Sequence, residues 1–207
     1  MTIPEGRRVR KFGRGVLTCS GAALLVTLTA CSSGGRQAAS DPTASKQPSQ
    51  NQSAIQINNP KDAAAVPLCD LLPAETATAL GYETQGRKEQ GGLDPDSPSA
   101  CVWRTPGSSE GGQLALTVLN RKISDYYAHP ETWGDFKKLT VAGYPTARAN
   151  TSDPKKAGIC SIYLGTQQSQ MISAQVTQST SKVGKKDPCQ VARKALEETV
   201  PTLPPAK

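Results

Sequence analysis

Histidine is almost missing from this chain of 207 residues; His129 is the only one. That excludes a histidine cluster for a metal and leaves every acyl-transfer or hydrolase triad with one candidate base. His129 stands before a proline with no cysteine or acid constellation around it, and reads as an ordinary surface residue. Aromatic residues make up only 4% of the chain. No two cysteines share the CxxC spacing of a zinc knuckle, so a zinc site is not expected. Long apolar runs are missing as well. The apolar segment at the N-terminus, Gly15 to Ala30, has no charge but falls short of the roughly 20 residues that span a bilayer comfortably, and small polar residues follow it.

What the N-terminus does have is the three-part pattern of an export signal. Arg7, Arg8, Arg10, Lys11 and Arg14 form a basic leader, and Val16, Leu17, Leu24, Leu25, Val26 and Leu28 supply the apolar part. It ends in Leu28-Thr29-Ala30-Cys31. These four residues resemble the lipobox of bacterial lipoproteins, which implies cleavage before Cys31, a diacylglyceryl group on its sulfur and an N-acyl chain such as palmitate. More than one acyl chain gives stable anchoring where a single chain does not. Residues 1–30 are therefore expected to be a signal peptide, and the mature protein to sit on the extracytoplasmic face of the cell membrane through lipidated Cys31.

Removing that segment changes the charge. The first 31 residues hold five of the 24 basic and one of the 17 acidic residues, leaving 19 against 16. The basic character of the whole chain owes much to the leader and does not indicate nucleic-acid binding. Residues 31–62 follow as the lipidated cysteine and a polar, disordered spacer in which only Ile55 and Ile57 are large and apolar. A single domain is expected over 63–203, with 204–207 as a disordered tail. Cys69, Cys101, Cys160 and Cys189 remain in it, and four cysteines in an exported domain imply two disulfides with three connectivities.

Patterning within the domain predicts an α+β fold, an antiparallel β-sheet packed against N- and C-terminal helices. Pro73 begins a helix that runs to Leu80 and ends at Gly81. Residues 83–98 read as a polar loop, and Asp94 with Asp96 as a turn rather than a calcium site. Short strands are predicted at Cys101–Arg104 and Gln113–Asn120, the second central because both its faces are apolar. Residues 124–138 read as a helix or lid, with a short helix at Pro130, and 139–150 as a turn feeding a strand. Gly158–Leu164 and Met171–Thr177 form an antiparallel hairpin with one wetter side. Asp187-Pro188-Cys189 is a helix start, Asp as cap and Pro in the first turn. Cys101 and Cys160 both fall on strands and Cys69 and Cys189 both at helix starts. Pairing like with like favours 101–160 and 69–189.

Two surfaces are candidates for function. Tyr126, Tyr127, Trp133 and Phe136 gather most of the aromatic content and either line a hydrophobic ligand groove or pack a helix over the sheet. Lys137-Lys138, Lys155-Lys156 and Lys185-Lys186 are three pairs, read as lying in turns, that would form one basic face towards anionic lipid or wall polymer, or simply keep the domain soluble. No catalytic and no metal residue is assigned and no cofactor is implied. A non-catalytic binding or accessory lipoprotein is the leading function, with a small or lipidic ligand or an envelope protein as partner. A structural protein contacting wall polymer or another protein through the basic face comes next. An enzyme comes last, because there is one imidazole, the domain cysteines are read as oxidised, and carboxylate pairs such as Asp94 with Asp96 or Glu197 with Glu198 have no supporting context; a hydrolase with a Ser-Lys site is the form left open, since serine and lysine are common here.

In order, lipobox Cys31, a polar spacer, Cys69-Asp-Leu-Leu-Pro73, Cys101-Val-Trp103, Val141-Ala-Gly143, Cys160 in a strand and Asp187-Pro-Cys189 before a closing helix resemble a family of actinobacterial cell-envelope lipoproteins defined by a domain of unknown function. The likeness covers essentially all of 65–203. It implies an actinobacterial host, a lipid anchor facing the cell wall and a mixed helix and sheet domain, and carries no catalytic residue. The loop 83–98 is the least family-like region and a candidate for specificity.

Overall fold

The hairpin expected from alternating residues is present, β6 at Ile159–Gln167 and β7 at Gln170–Thr177. In register, Cys160, Ile162 and Leu164 oppose Val176, Ala174 and Ile172. All six are buried on one face, while Ser161 and Ser173 point to the other, as a two-residue period requires. The structure, a computed structural model, describes residues 55–91, 96–107 and 111–207. The chain divides into two units at Ser49/Gln50, and all described residues belong to the second. The signal peptide, Cys31, most of the spacer and Asp94 lie outside the described residues. Among the described residues no helix is long and apolar enough to cross a membrane.

Around that hairpin the sheet has seven strands, all antiparallel. The others are β1 (Arg87–Glu89), β2 (Ala100–Arg104), β3 (Gln113–Leu119), β4 (Asp135–Val141) and β5 (Tyr144–Asn150). Their spatial order is β1-β2-β3-β7-β6-β5-β4, two meanders joined where β3 meets β7. β3 is thus central, as its two apolar faces predict. Strands β1 and β4 depart from expectation: β1 lies within the stretch read as loop, and β4 begins at Asp135, so Phe136, Lys137 and Lys138 are strand residues rather than part of a helix or lid. In β4 the apolar alternation is diluted by Lys137 and Lys138, which only an edge strand tolerates. β4 and β5 turn through Ala142 and Gly143, both at positive φ (49° and 86°), the two-residue geometry that suits the twist of a hairpin.

One face of the sheet is closed. Helix α1 (Ala74–Ala79) and helix α4 (Pro188–Thr199) belong to it. Ala192, Ala195 and Leu196 of α4 are wholly buried in the same core as Leu114, Leu116, Ile162, Leu164 and Ile172. The start of α4 is the one expected: Asp187 Oδ1 accepts from the Cys189 N–H at 2.9 Å, and Pro188 occupies the first turn. Trp103 is 1% exposed and lies in this core.

The disulfides join Cys69 to Cys101 and Cys160 to Cys189. The expected pairing of like with like is therefore wrong, and the strand order explains why. β3 and β7 separate β2 from β6, so Cys101 and Cys160 stand three strand spacings apart, about 14 Å at roughly 4.8 Å each. A disulfide spans Cα atoms no more than about 7 Å apart. Each bridge instead staples a helical segment to the strand beneath it, with Cα atoms 5.2 Å apart in both cases.

The ordered domain also begins before residue 63 and continues past 203. Ile57 is buried in the main core and Ile55 packs on a second one. The Lys61 N–H donates to the Thr166 carbonyl at 3.0 Å, Tyr144 Oη donates to the Asn59 carbonyl at 2.6 Å, and a bridge pairs Lys61 with Pro205. The Ala206 N–H donates to the Pro60 carbonyl at 2.9 Å. Residues 60–61 and 205–206 thus hold each other, and 204–206 are not a frayed tail.

Candidate functional site

The outer face of the sheet is only half covered. From β3 the chain crosses to the far edge through helix α2 (Ile123–Ala128) and a 3-10 turn at Pro130–Thr132. Helix α2 settles over β5 and β6, where Ile123, Tyr126, Ala147, Ala149 and Met171 form the second core. Gly165 lets it come close: a Cβ there would stand 2.9 Å from Ile123 Cγ2. Beyond α2 the outward side chains of β2, β3, β7 and β6 form the floor of a groove of about 610 Å³. That floor is small and uncharged, made by Ala100, Ala115, Thr117, Ser161, Ser173 and Gln175. Gly91, Asp96 and Pro98 wall one side, while Arg121 and Tyr126 stand on the other.

Of the four aromatic residues singled out in the sequence, the structure places Tyr126 in this groove and Trp133 in a notch beside it. Tyr126 stacks on Tyr163 with centroids 4.2 Å apart and on Trp133 at 5.6 Å. The three rings make a ladder from the groove to a notch of about 350 Å³ lined by Arg121, Asp125, Tyr126, His129, Thr132 and Trp133. Arg121 and Tyr126 line both, so groove and notch adjoin. Burial among these rings, with Tyr163 as the second cause, holds the Tyr126 phenol above its ordinary pKa. Tyr127 and Phe136 face the β4–β5 side instead. They meet edge to face at 6.3 Å, and Tyr127 Oη donates to the Thr146 carbonyl at 2.9 Å. Those two rings pack α2 onto the sheet.

The six lysines do not form one face. Lys137 and Lys138 are neighbours on β4, so their side chains leave opposite faces of the sheet; Lys138 Nζ sits 4.8 Å from the centre of the Tyr127 ring. Lys155 and Lys156 belong to a short helix, α3 (Pro154–Ala157), rather than a turn. Lys155, Lys185 and Lys186 do converge, and with Lys182 they line a separate cleft of about 570 Å³.

Several charges elsewhere are paired. Arg104 and Glu89 share a two-pronged ion pair on the outer face, 2.6 and 3.1 Å, which holds the Glu89 carboxyl below its ordinary range. Arg148 bonds Asp135 through side chains only 17% and 15% exposed, and Asn150 Nδ2 donates to Asp135 at 3.2 Å. His129 is exposed, 3.4 Å from Glu131. Among the described residues no three histidines, cysteines or acids gather to hold a metal, and no serine hydroxyl hydrogen-bonds a lysine.

Sequence reasoning missed the groove floor. The signal was the make-up of the wetter side of β6 and β7: Ser161, Tyr163, Ser173 and Gln175 include no charged residue, whereas a solvated sheet face normally carries lysine and glutamate. Alternation showed that these positions point outward; it did not show that β2 and β3 continue the same floor.

No curated protein and no solved structure matches the chain. A family model described as a protein of unknown function, DUF3558, matches residues 26–202. That span takes in both disulfides, the whole sheet and α4, and the chain belongs to the DUF3558 family.

Proposed function

We propose that this protein is a non-catalytic binding domain, tethered to the extracytoplasmic face of a membrane through Cys31, that takes a small or lipidic ligand on the open face of its sheet. The observation that carries the reading is the groove floor. Seven antiparallel strands could bury or solvate their outer face. Here four of them present small, uncharged side chains between a loop and a helix. A concave, largely apolar surface with a few fixed polar groups is the general form of a small-molecule site. Ala100, Ala115, Leu119 and the Tyr126–Tyr163 stack would meet the apolar part of the ligand, and Thr117, Ser161, Ser173 and Gln175 its neutral polar part. The two disulfides agree with an oxidising, exported location, and the Leu28–Cys31 sequence supplies the tether.

Native mass spectrometry of the mature protein, extracted from its own membrane in mild detergent, tests this. A co-purifying small molecule of constant mass is expected, with a diacylglyceryl group on Cys31. Thr117→Arg places a long charged side chain in the middle of the floor and should abolish the adduct while leaving the circular dichroism spectrum unchanged. If the adduct survives in that variant, the groove is not where the ligand binds. If the stable adduct is a second protein, the accessory-subunit form of the reading replaces the ligand form.

A further inference from the structure

The cleft lined by Lys155, Lys182, Lys185 and Lys186 lies apart from the groove and shares no lining residue with it. Its lysines come from two segments that fix one another. The Gly184 N–H donates to the Lys155 carbonyl at 3.0 Å, and the Lys182 carbonyl accepts from the N–H groups of Lys185 and Lys186 at 3.1 and 3.4 Å. Val183 fills the space beside Gly158, where a Cβ would stand 2.5 Å from Val183 Cγ2. The lysine-bearing turn is therefore packed against α3 rather than waving in solvent.

The charge collected there is offset only in part, by Asp187 in the same lining. Arg104, Arg148, Arg193 and Lys194 each pair with a carboxylate; among the described residues the four cleft lysines pair with none. The nearby carboxylates are engaged by backbone amides. Asp153 accepts from the Lys155 and Lys156 N–H groups at 2.9 and 3.1 Å, and Asp187 from the Cys189 N–H at 2.9 Å. Gln178 adds a neutral feature to the same cleft. Its Nε2 donates to the Lys186 carbonyl at 3.2 Å, which ties the lysine-bearing turn to the end of β7.

We propose that this cleft is a binding site for a phosphate ester. Four ammonium groups around a concavity, none of them in an ion pair among the described residues, match a phosphate by charge. Concavity matters here. A flat anionic membrane surface would engage lysines on a convex or planar face, whereas a cleft takes in a headgroup or one unit of a polymer. That chemistry has two sources, the headgroup of an inositol phospholipid in a membrane and a soluble glycerol-phosphate polymer.

Both sources can be probed on the full mature protein. Titration with a soluble glycerol-phosphate oligomer, followed by calorimetry, should show saturable binding that weakens steadily with salt. Sedimentation with phosphatidylcholine vesicles, with and without phosphatidylinositol, tells whether a lipid-borne headgroup is also reached. Lys182→Gln with Lys185→Gln should weaken binding of whichever probe is bound by about tenfold or more. Lys137→Gln with Lys138→Gln, away from the cleft, should leave it unchanged. The proposal fails if neither probe binds. It fails equally if the two double variants lose affinity alike, because the attraction would then be that of net charge and not of a site.

Discussion

Gly86 shows how much one position can depend on a neighbour far along the chain. A Cβ at Gly86 would lie 2.4 Å from Cys101 Sγ and 2.6 Å from Trp103 Cε2. Neither neighbour can move aside cheaply, since the sulfur is bonded to Cys69 and the indole is buried in the main core. Glycine is thus required for close approach and not for backbone conformation. Gly86→Ala should destabilise the domain by about 1–3 kcal/mol, the usual cost of overpacking a filled core. It would be read as a lower urea midpoint with a changed near-ultraviolet signal from Trp103. In sequence this glycine sat among Gly91, Gly92 and the Asp94-Pro95-Asp96 run, and its neighbours argued for a loop. Nothing local distinguishes a glycine that turns from one that is leaned upon. Cys101, Trp103 and the buried alternation around them were legible because an alternating pattern declares itself within its own strand. Gly86 takes its meaning from β2.

At the level of elements the same division holds. α4, the β6–β7 hairpin and central β3 could be read because cap, period and burial lie in consecutive residues. β1 and β4 could not, because edge strands carry little apolar alternation, and β4 sets Lys137 and Lys138 side by side. The disulfides failed for a reason one level higher: residue type places a cysteine on a strand or a helix, and only strand order says which cysteines face one another. The observed bridge from Cys160 to Cys189 ties α4 to β6 across 29 residues. Removing it with Cys160→Ser and Cys189→Ser should lower stability by about 3.5 kcal/mol, the closure entropy of a loop of that length. Urea unfolding of the oxidised protein beside the double variant measures the loss. A non-reducing peptide map gives the prior check, with Cys69 joined to Cys101 and Cys160 joined to Cys189.

Over the whole molecule, the asymmetry between the two sheet faces organises both stability and function. One face is closed by α1, α4 and the paired segments at 60–62 and 204–206; the other is closed over β5 and β6 only, which leaves the groove. Half of that outer closure was visible as a cluster of aromatic residues, but a list of aromatics does not say which rings pack and which line a surface. The structure divides them, Tyr127 and Phe136 to packing and Tyr126 and Trp133 to the rim. The small floor beyond them is a property of four strands taken together, so no single stretch of sequence displays it.

Tyrosine burial on both faces also sets the pH range in which the fold holds. Burial raises the phenols of Tyr82, Tyr126, Tyr127 and Tyr144, with Tyr82 pushed up to about 12. A phenol that ionises near 10 when unfolded but higher when folded contributes stability that is complete below about pH 10. That contribution is lost as pH rises through the folded value. Glu89 is lowered by its hydrogen bonds from Arg104, and Asp153 by the backbone amides of Lys156 and Lys155. Their contribution has the opposite sense: it is present above the unfolded values near 4 and lost as pH falls through the folded ones. Urea midpoints should therefore stay level between about pH 5 and pH 9 and decline on both sides. The acid decline should be shallow, because both carboxylates are solvent-exposed and weakly coupled to the fold. The alkaline decline should be steeper, and Tyr82→Phe, which keeps the ring and removes the ionisable group, should flatten it. A midpoint that stayed level through pH 11 in the unsubstituted protein would mean that these phenols reach water while the domain is still folded, and the packing assigned to both sheet faces would have to be loosened accordingly.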